Sequence, residues 1–391
     1  MSVAVDRDQI FLTGIRRIGE EVAAANADDV DREARFPAET IAALRESHAL
    51  SAFIPVELGG AGASFQSLAG ACLELGRHCG ASAMVFAMHQ IQLATIVRHL
   101  DDAPWFEDYL RDVASEQRLI ASVTSEVGTG GDMGSSIAAV EHAGADGLAT
   151  FEKQAPTVSY GAYADDLLTT LRRSPESEPG DQVCVLTRKD QHTLEQTSSW
   201  DPLGMRGTCS PGYIVRARFP LEQVLPTQFA RVMNESMVPI SHILWSHLWL
   251  GIATDAFARA RAFVRAAAKR KPGEPLPVAI RLSQLMSELS LLRAEVSSGL
   301  AEFIAATADD RSRLSEMATI LRFNNLKIAS SEQAPRVCQG ALGVCGIVGF
   351  KNDTPFSVGR HLRDTMSACL MVANERIHQT NASLLLIAKE V

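Results

Sequence analysis

The spacing of apolar residues changes twice along this chain, and that double change limits the folds open to it. Up to about Ala114 apolar positions recur at helical spacing, over residues 9–25, 37–47, 65–78, 81–100 and 105–114. From Leu119 to about Leu225 they come instead in short runs (138–140, 166–170, 183–186, 213–219) divided by turn residues such as those at 144–147. After Phe229 the helical period returns over residues 237–264, 276–307, 312–334 and 361–388, with a Pro-rich break at 271–277. Amphipathic helices and half-buried strands need different periods, so one element type cannot account for the whole chain. The expectation is an α+β protein, mainly α: an N-terminal helical domain (1–118), a middle antiparallel β domain (119–228) and a C-terminal four-helix bundle (229–391).

Composition narrows the function classes. The chain has 391 residues and a net charge of −9, with no long Lys/Arg run, which argues against nucleic-acid binding. Its seven cysteines show no metal-ligand spacing, so no metal site is expected and the thiols read as reduced, as in a cytoplasmic protein. The first residues carry early acids and no apolar core of a signal peptide. No run is expected to reach the roughly 18–20 apolar residues that cross a bilayer.

One stretch invites a ligand. Residues 121–136 read Ala-Ser-Val-Thr-Ser-Glu-Val-Gly-Thr-Gly-Gly-Asp-Met-Gly-Ser-Ser, a strand-like lead-in followed by four glycines. Glycines let a backbone approach a flat or charged ligand closely, and successive N–H groups there form a concavity. Pro55-Val-Glu-Leu-Gly-Gly-Ala-Gly62, Ser125-Glu-Val-Gly-Thr-Gly-Gly-Asp132, Gly204-Met-Arg-Gly-Thr208 and Arg360-His-Leu-Arg-Asp364 occur in that order. Together they resemble the motifs of the acyl-CoA dehydrogenase family over nearly the whole chain, in a form that lacks the family's usual catalytic Glu.

The resemblance implies a flavin, FAD or alternatively FMN. Val123, Thr124, Ser125, Gly130 and Gly131 of the loop would hold it, with Thr157 and, from a neighbouring subunit, Gly346 and Gly349. It therefore also implies a homodimer or homotetramer. Oxidation of an acyl thioester to its 2,3-enoyl form needs a base for the α-proton and a flavin for the β-hydride. The family's Glu falls on Val372, its alternative position on Ser241, and the Trp that flanks the flavin is Ala155. Glu375, three residues on from Val372, is the remaining candidate base. Asn374 and His378 share its helix, while His89, His242 and Trp245 are candidate pocket residues and Trp249 shares the face of the last two. A lone His on an apolar helix, as His89 is, more often serves as a satisfied core residue, so His89 is a minor candidate.

Three functions follow as expectations: an acyl thioester dehydrogenase passing electrons to an electron-transfer flavoprotein, a monooxygenase served by a flavin reductase, or a silent partner subunit.

Overall fold

The computed structural model describes residues 2–142, 147–270, 277–308 and 310–387, without the side chains of residues 2–6 and 142. The turn expected at 144–147 and the break at 271–277 lie outside these residues except for Gly147 and Pro277. So does Ala388, the expected end of the last helix.

Six helices open the chain: α1 (Ser2–Ile18), α2 (Ala24–Arg32), α3 (Ala38–Glu46), α4 (Phe65–Gly76), α5 (Gly80–His99) and α6 (Pro104–Glu116). Local chemistry sets their starts. The Ser64 hydroxyl accepts from the Ser67 amide at the N-terminus of α4, and Pro104 opens α6, where no amide is needed. Contrary to expectation, α5 is long and apolar enough to span a bilayer by length and composition. Its apolar window is 89% buried inside the protein, because α5 is the central core helix of this region.

Among the described residues seven strands follow: β1 (Ile120–Val123), β2 (Glu141–His142), β3 (Leu148–Ala155), β4 (Asp166–Arg172), β5 (Gln182–Arg188), β6 (His192–Gln196) and β7 (Tyr213–Pro220). They form two small sheets, ordered β1-β4-β5 and β2-β3-β7-β6. All pairings are antiparallel except β1 with β4, in register Ile120↔Asp166. That parallel pair is possible because more than forty residues separate the two strands, long enough for a crossover.

The rest is helical: α7 (Phe229–Val232), α8 (Val238–Arg270), α9 (Pro277–Thr307), α10 (Met317–Cys345), α11 (Ile347–Phe350), α12 (Gly359–Met366) and α13 (Asn374–Leu385). Buried Ala334, Val337, Cys338 and Ala341 carry α10 straight through Pro335, past the end expected at residue 334. The last expected helix is instead split into α12 and α13 by a turn at residues 367–373. Lys327, buried on α10, holds the end of that turn. Its Nζ donates to the Val372 carbonyl (3.2 Å) within the turn and to Asn374 Oδ1 (2.7 Å) at the start of α13. One continuous apolar core joins the helices of both ends to the sheets, so the site below is built from all three regions.

Candidate active site

The Gly-rich loop hangs from β1 and is braced by a buried ion pair. Glu126 takes a hydrogen bond from the Ser136 hydroxyl (2.6 Å) and another from the Ala138 amide (2.6 Å), tying the two ends of the loop together. Lys153 of β3 stands 3.5 Å from the same carboxylate and donates to the Thr170 carbonyl (2.6 Å). Burial lowers the Lys153 ammonium to about 8, against the pull of Glu126. Within the loop Gly128, Gly130 and Gly131 take φ values of +96°, +61° and +85°, a backbone only glycine adopts without strain. The Ser125 hydroxyl donates to the Thr157 carbonyl (2.7 Å). The structure thus brings together the end of β1 (Val123, Thr124, Ser125) and Thr157, which lie more than thirty residues apart.

Beside Thr157 lies a cavity of about 550 Å³. Its walls are mainly apolar: Met84 and Met88 of α5, Trp200, Trp245 of α8, and Leu370 and Met371 of the 367–373 turn. Five hydroxyl residues, Thr157, Ser159, Thr208, Ser210 and Ser367, break that surface. Among the described residues no carboxylate lines it, and the one charged residue there, Arg363, is held by Asp31. Two of the sequence motifs meet at its rim. Gly204 packs so closely that a Cβ there would lie 2.0 Å from the Arg363 carbonyl, and the Met205 amide donates to Asp364 Oδ1 (2.7 Å). Burial pushes Asp364 up to about 6.

Two further cavities adjoin this one. A groove of about 510 Å³ shares Pro202, Leu203 and Arg363 with it and carries Arg32, Arg206 and Arg360. Each arginine there already meets a carboxylate, Arg206 with Asp201 (2.7 Å) and Arg360 with Asp28 (3.1 Å) among them. A side cavity of about 280 Å³, between the Gly-rich loop and the starts of α8 and α13, includes His242, Asn324 and Arg376. Val372 lines both the main and the side cavity. Its φ is +45°, a genuine outlier for a β-branched residue.

The remaining candidates divide clearly. Glu375 opens α13, is exposed and lines neither cavity, as does exposed His378. Its neighbour Arg376 donates to the Gly130 carbonyl, closing the loop from outside. His89 is fully occupied, taking the Ile120 amide on Nδ1 (3.1 Å) and donating from Nε2 to the Leu50 carbonyl (2.8 Å). Burial lowers it to about 4, so it is a neutral pin between α5 and β1 that lines neither cavity. His242, lowered to about 3 by burial and then by Lys327, contacts the Phe323 carbonyl through Nδ1 (3.2 Å). Its Nε2 has no partner among the described residues, nor does the buried indole nitrogen of Trp245. Of the face formed by residues 242, 245 and 249, His242 lines the side cavity, Trp245 the main one, and fully buried Trp249 neither. Ser241 is turned back onto the Val238 carbonyl (2.7 Å), and Asn374 serves Lys327. Gly346 and Gly349 lie at the far end of α10 and line neither cavity. Between and beside them Ile347 and Phe350 are about 70% exposed.

Sequence reasoning missed Met84, Met88, Ser159, Ser210 and Lys327. Only the Met-rich character of α5 hinted at the first two. The others are assembled by contacts distant in sequence.

Comparison with known proteins agrees with this architecture. Residues 6–117 match the family described as acyl-CoA dehydrogenase, N-terminal domain. The chain is 23% identical over 362 residues to a probable acyl-CoA dehydrogenase, YngJ, of Bacillus subtilis (strain 168), covering 90% of each. It is 25% identical over 363 residues to the amino sugar nitrososynthase DnmZ of Streptomyces peucetius, covering 89% of this chain and 85% of that one. Among solved structures it overlays butyryl-CoA dehydrogenase from Megasphaera elsdenii with a TM-score of 0.79 at 19% identity, covering 97% and 98% of the two chains. FMN-bound TdsC from Paenibacillus sp. A11-2 gives 0.82 at 18% identity, covering 96% and 97%. The chain has the fold of the acyl-CoA dehydrogenase family.

Proposed function

We propose that this chain is a divergent member of the acyl-CoA dehydrogenase family that acts as a flavin-dependent monooxygenase, using reduced flavin and O₂ on a small substrate held in the 550 Å³ cavity. The observation that carries this reading is that among the described residues no carboxylate lines the cavity; by the resemblance, the family's base position falls on Val372. Thioester dehydrogenation requires a base within hydrogen-bond reach of the α-proton. Oxygenation requires none: substrate, O₂ and reduced flavin give oxygenated substrate, water and oxidised flavin. The arginines of the neighbouring groove already meet carboxylates, which leaves that surface poorly suited to the phosphates of coenzyme A.

The residues present fit a flavin. The positive-φ glycines offer an open backbone, where a Cβ on Gly130 would come within 3.0 Å of Arg376, and Ser125 and Thr157 bring hydroxyls to the cavity edge. When bound, the flavin supplies the two electrons and the activation of O₂. Val123, Thr124, Ser125, Gly130, Gly131 and Thr157 would hold it, and Gly346 and Gly349 of a second copy would complete its site in a homodimer or homotetramer. The apolar wall of Met and Trp side chains excludes water from the reacting centre. FMN supplied by a flavin reductase suits this chemistry better than FAD passing electrons to an electron-transfer flavoprotein.

The dehydrogenase reading is supported by the likeness to YngJ and to butyryl-CoA dehydrogenase across nearly the full chain. It requires Glu375 to swing inward as the base. The test mixes oxidised, flavin-loaded protein anaerobically with a panel of acyl-CoAs and follows the visible flavin absorption. We expect the absorption to persist, and to be lost only on adding NADH and a flavin reductase, with O₂ then consumed in a substrate-dependent way. Bleaching by an acyl-CoA alone would overturn the proposal, and loss of that bleaching in Glu375→Gln would identify the base.

A further inference from the structure

Three of the hydroxyls that line the main cavity, those of Ser159, Thr208 and Ser210, are joined to one another. Ser210 Oγ lies 2.9 Å from Ser159 Oγ and 2.9 Å from Thr208 Oγ1, and Thr208 Oγ1 lies 2.8 Å from the Met205 carbonyl. Thr208 and Ser210 are 4% and 3% exposed, whereas Ser159 is half-buried on the cavity wall. The chain is anchored at its inner end, where the Met205 amide is held by Asp364.

Each hydroxyl has one proton and two lone pairs. Thr208 donates to the Met205 carbonyl and Ser210 donates to Ser159. Ser159 thus keeps its own proton and one lone pair, so the same hydroxyl can donate to a ligand in the cavity or accept from one.

We propose that Ser159, backed by Ser210 and Thr208, is the specificity-determining group of this cavity. Its substrate is an uncharged, mainly apolar molecule of bicyclic size carrying one hydrogen-bonding heteroatom, donor or acceptor. The size follows from the cavity volume, the apolar body from the Met and Trp walls, and the lack of charge from a lining whose single charged group is already paired. The inference deepens the monooxygenase reading by naming its substrate class, but rests on binding alone.

The test uses purified, flavin-loaded protein in the oxidised state, where no oxygen chemistry occurs, and isothermal titration calorimetry with three probes of one shape. These are indole (donor only), 1-indanone (acceptor only) and indene (neither). Indole and 1-indanone should each bind about tenfold more tightly than indene, the worth of one net hydrogen bond. Ser159→Ala should bring both to the affinity of indene without changing indene itself, and Ser210→Ala should weaken both by a smaller factor. Equal binding of all three probes to the parent protein, no binding by any, or an equal loss of all three in Ser159→Ala would overturn the assignment. Acyl-CoA bleaching of the flavin would instead overturn the oxygenase reading while leaving these affinities in place.

Discussion

Two irregular segments border the side cavity, and each is held by a buried lysine. The Gly-rich loop is braced by Lys153 and the 367–373 turn by Lys327, and burial lowers both ammonium groups to about 8. There the likeness ends. Lys153 faces a buried carboxylate, Glu126, while Lys327 faces only neutral acceptors, the Val372 carbonyl and Asn374. The loop places its left-handed residues at glycines, the turn at Val372. The first segment is thus closed by charge and free of backbone strain, as suits a rigid cradle. The second stores strain in a residue that forms the wall between two cavities. Strain of that kind persists only where the surroundings over-determine it, and Lys327 with its two hydrogen bonds is what does so here.

The largest expected break in the comparison is on the charged side. Glu126→Ala leaves Lys153 buried without its counter-ion and frees the Ala138 amide, so the protein should lose about 3–5 kcal/mol of stability. Urea unfolding at pH 7 measures this. A loss under about 1 kcal/mol would mean that Lys153 is adequately served by Thr170 alone, and the two braces would then be alike.

A pH experiment probes the uncharged side. His242 borders the side cavity and feels Lys327, and its folded pKa of about 3 lies below the ordinary 6.5. The unfolded chain therefore binds a proton in that window and the folded chain does not. Stability contributed by neutral His242 is present above about pH 6.5 and is lost as pH falls toward 3. His242→Gln should reduce the slope of unfolding free energy against pH between 4 and 6 by up to about 1.4 kcal/mol per pH unit, one proton's worth. An unchanged slope would show that His242 is protonated in the native protein.

The smallest effects are a pair of opposite sign. Gly131→Ala forces a side chain onto φ +85° and should destabilise by about 1 kcal/mol. Val372→Gly relieves the outlier at φ +45° and should stabilise by up to about 1 kcal/mol, while joining the main and side cavities and relaxing substrate selectivity. Thermal unfolding of the two variants side by side reads the signs. Two destabilisations of equal size would remove the contrast between cradle and turn.

Much of this was legible from one chain of letters because it is local. The switch of apolar period marked the helical and strand regions, Glu126 and the glycines announced the loop, and Arg363-Asp364 announced the segment that clasps Met205. Val372, on which the family's Glu falls by the resemblance, lines the cavity wall. Other features were not legible for reasons of physics rather than subtlety. His89 and His242 both sit on apolar helices, and nothing local says that one is spent on two backbone groups while the other keeps a nitrogen unpartnered. The final helix was expected to run unbroken from residue 361, because its sequence alone carries no strong stop signal before Asn374.

The sequence by itself determined the order of element types, the glycines that permit left-handed backbone, and the absence of an acid at the family's base positions. These depend on residue identity, period and short spacing. Tertiary structure alone decided the hydroxyl row of Ser159, Ser210 and Thr208, the split between α12 and α13, and the exposure of Glu375. Each turns on which distant groups meet across the core, as when Lys327 reaches Val372 forty-five residues on. Hydrogen-bond satisfaction in a buried interior is settled among neighbours in space, and a linear pattern does not encode who they are.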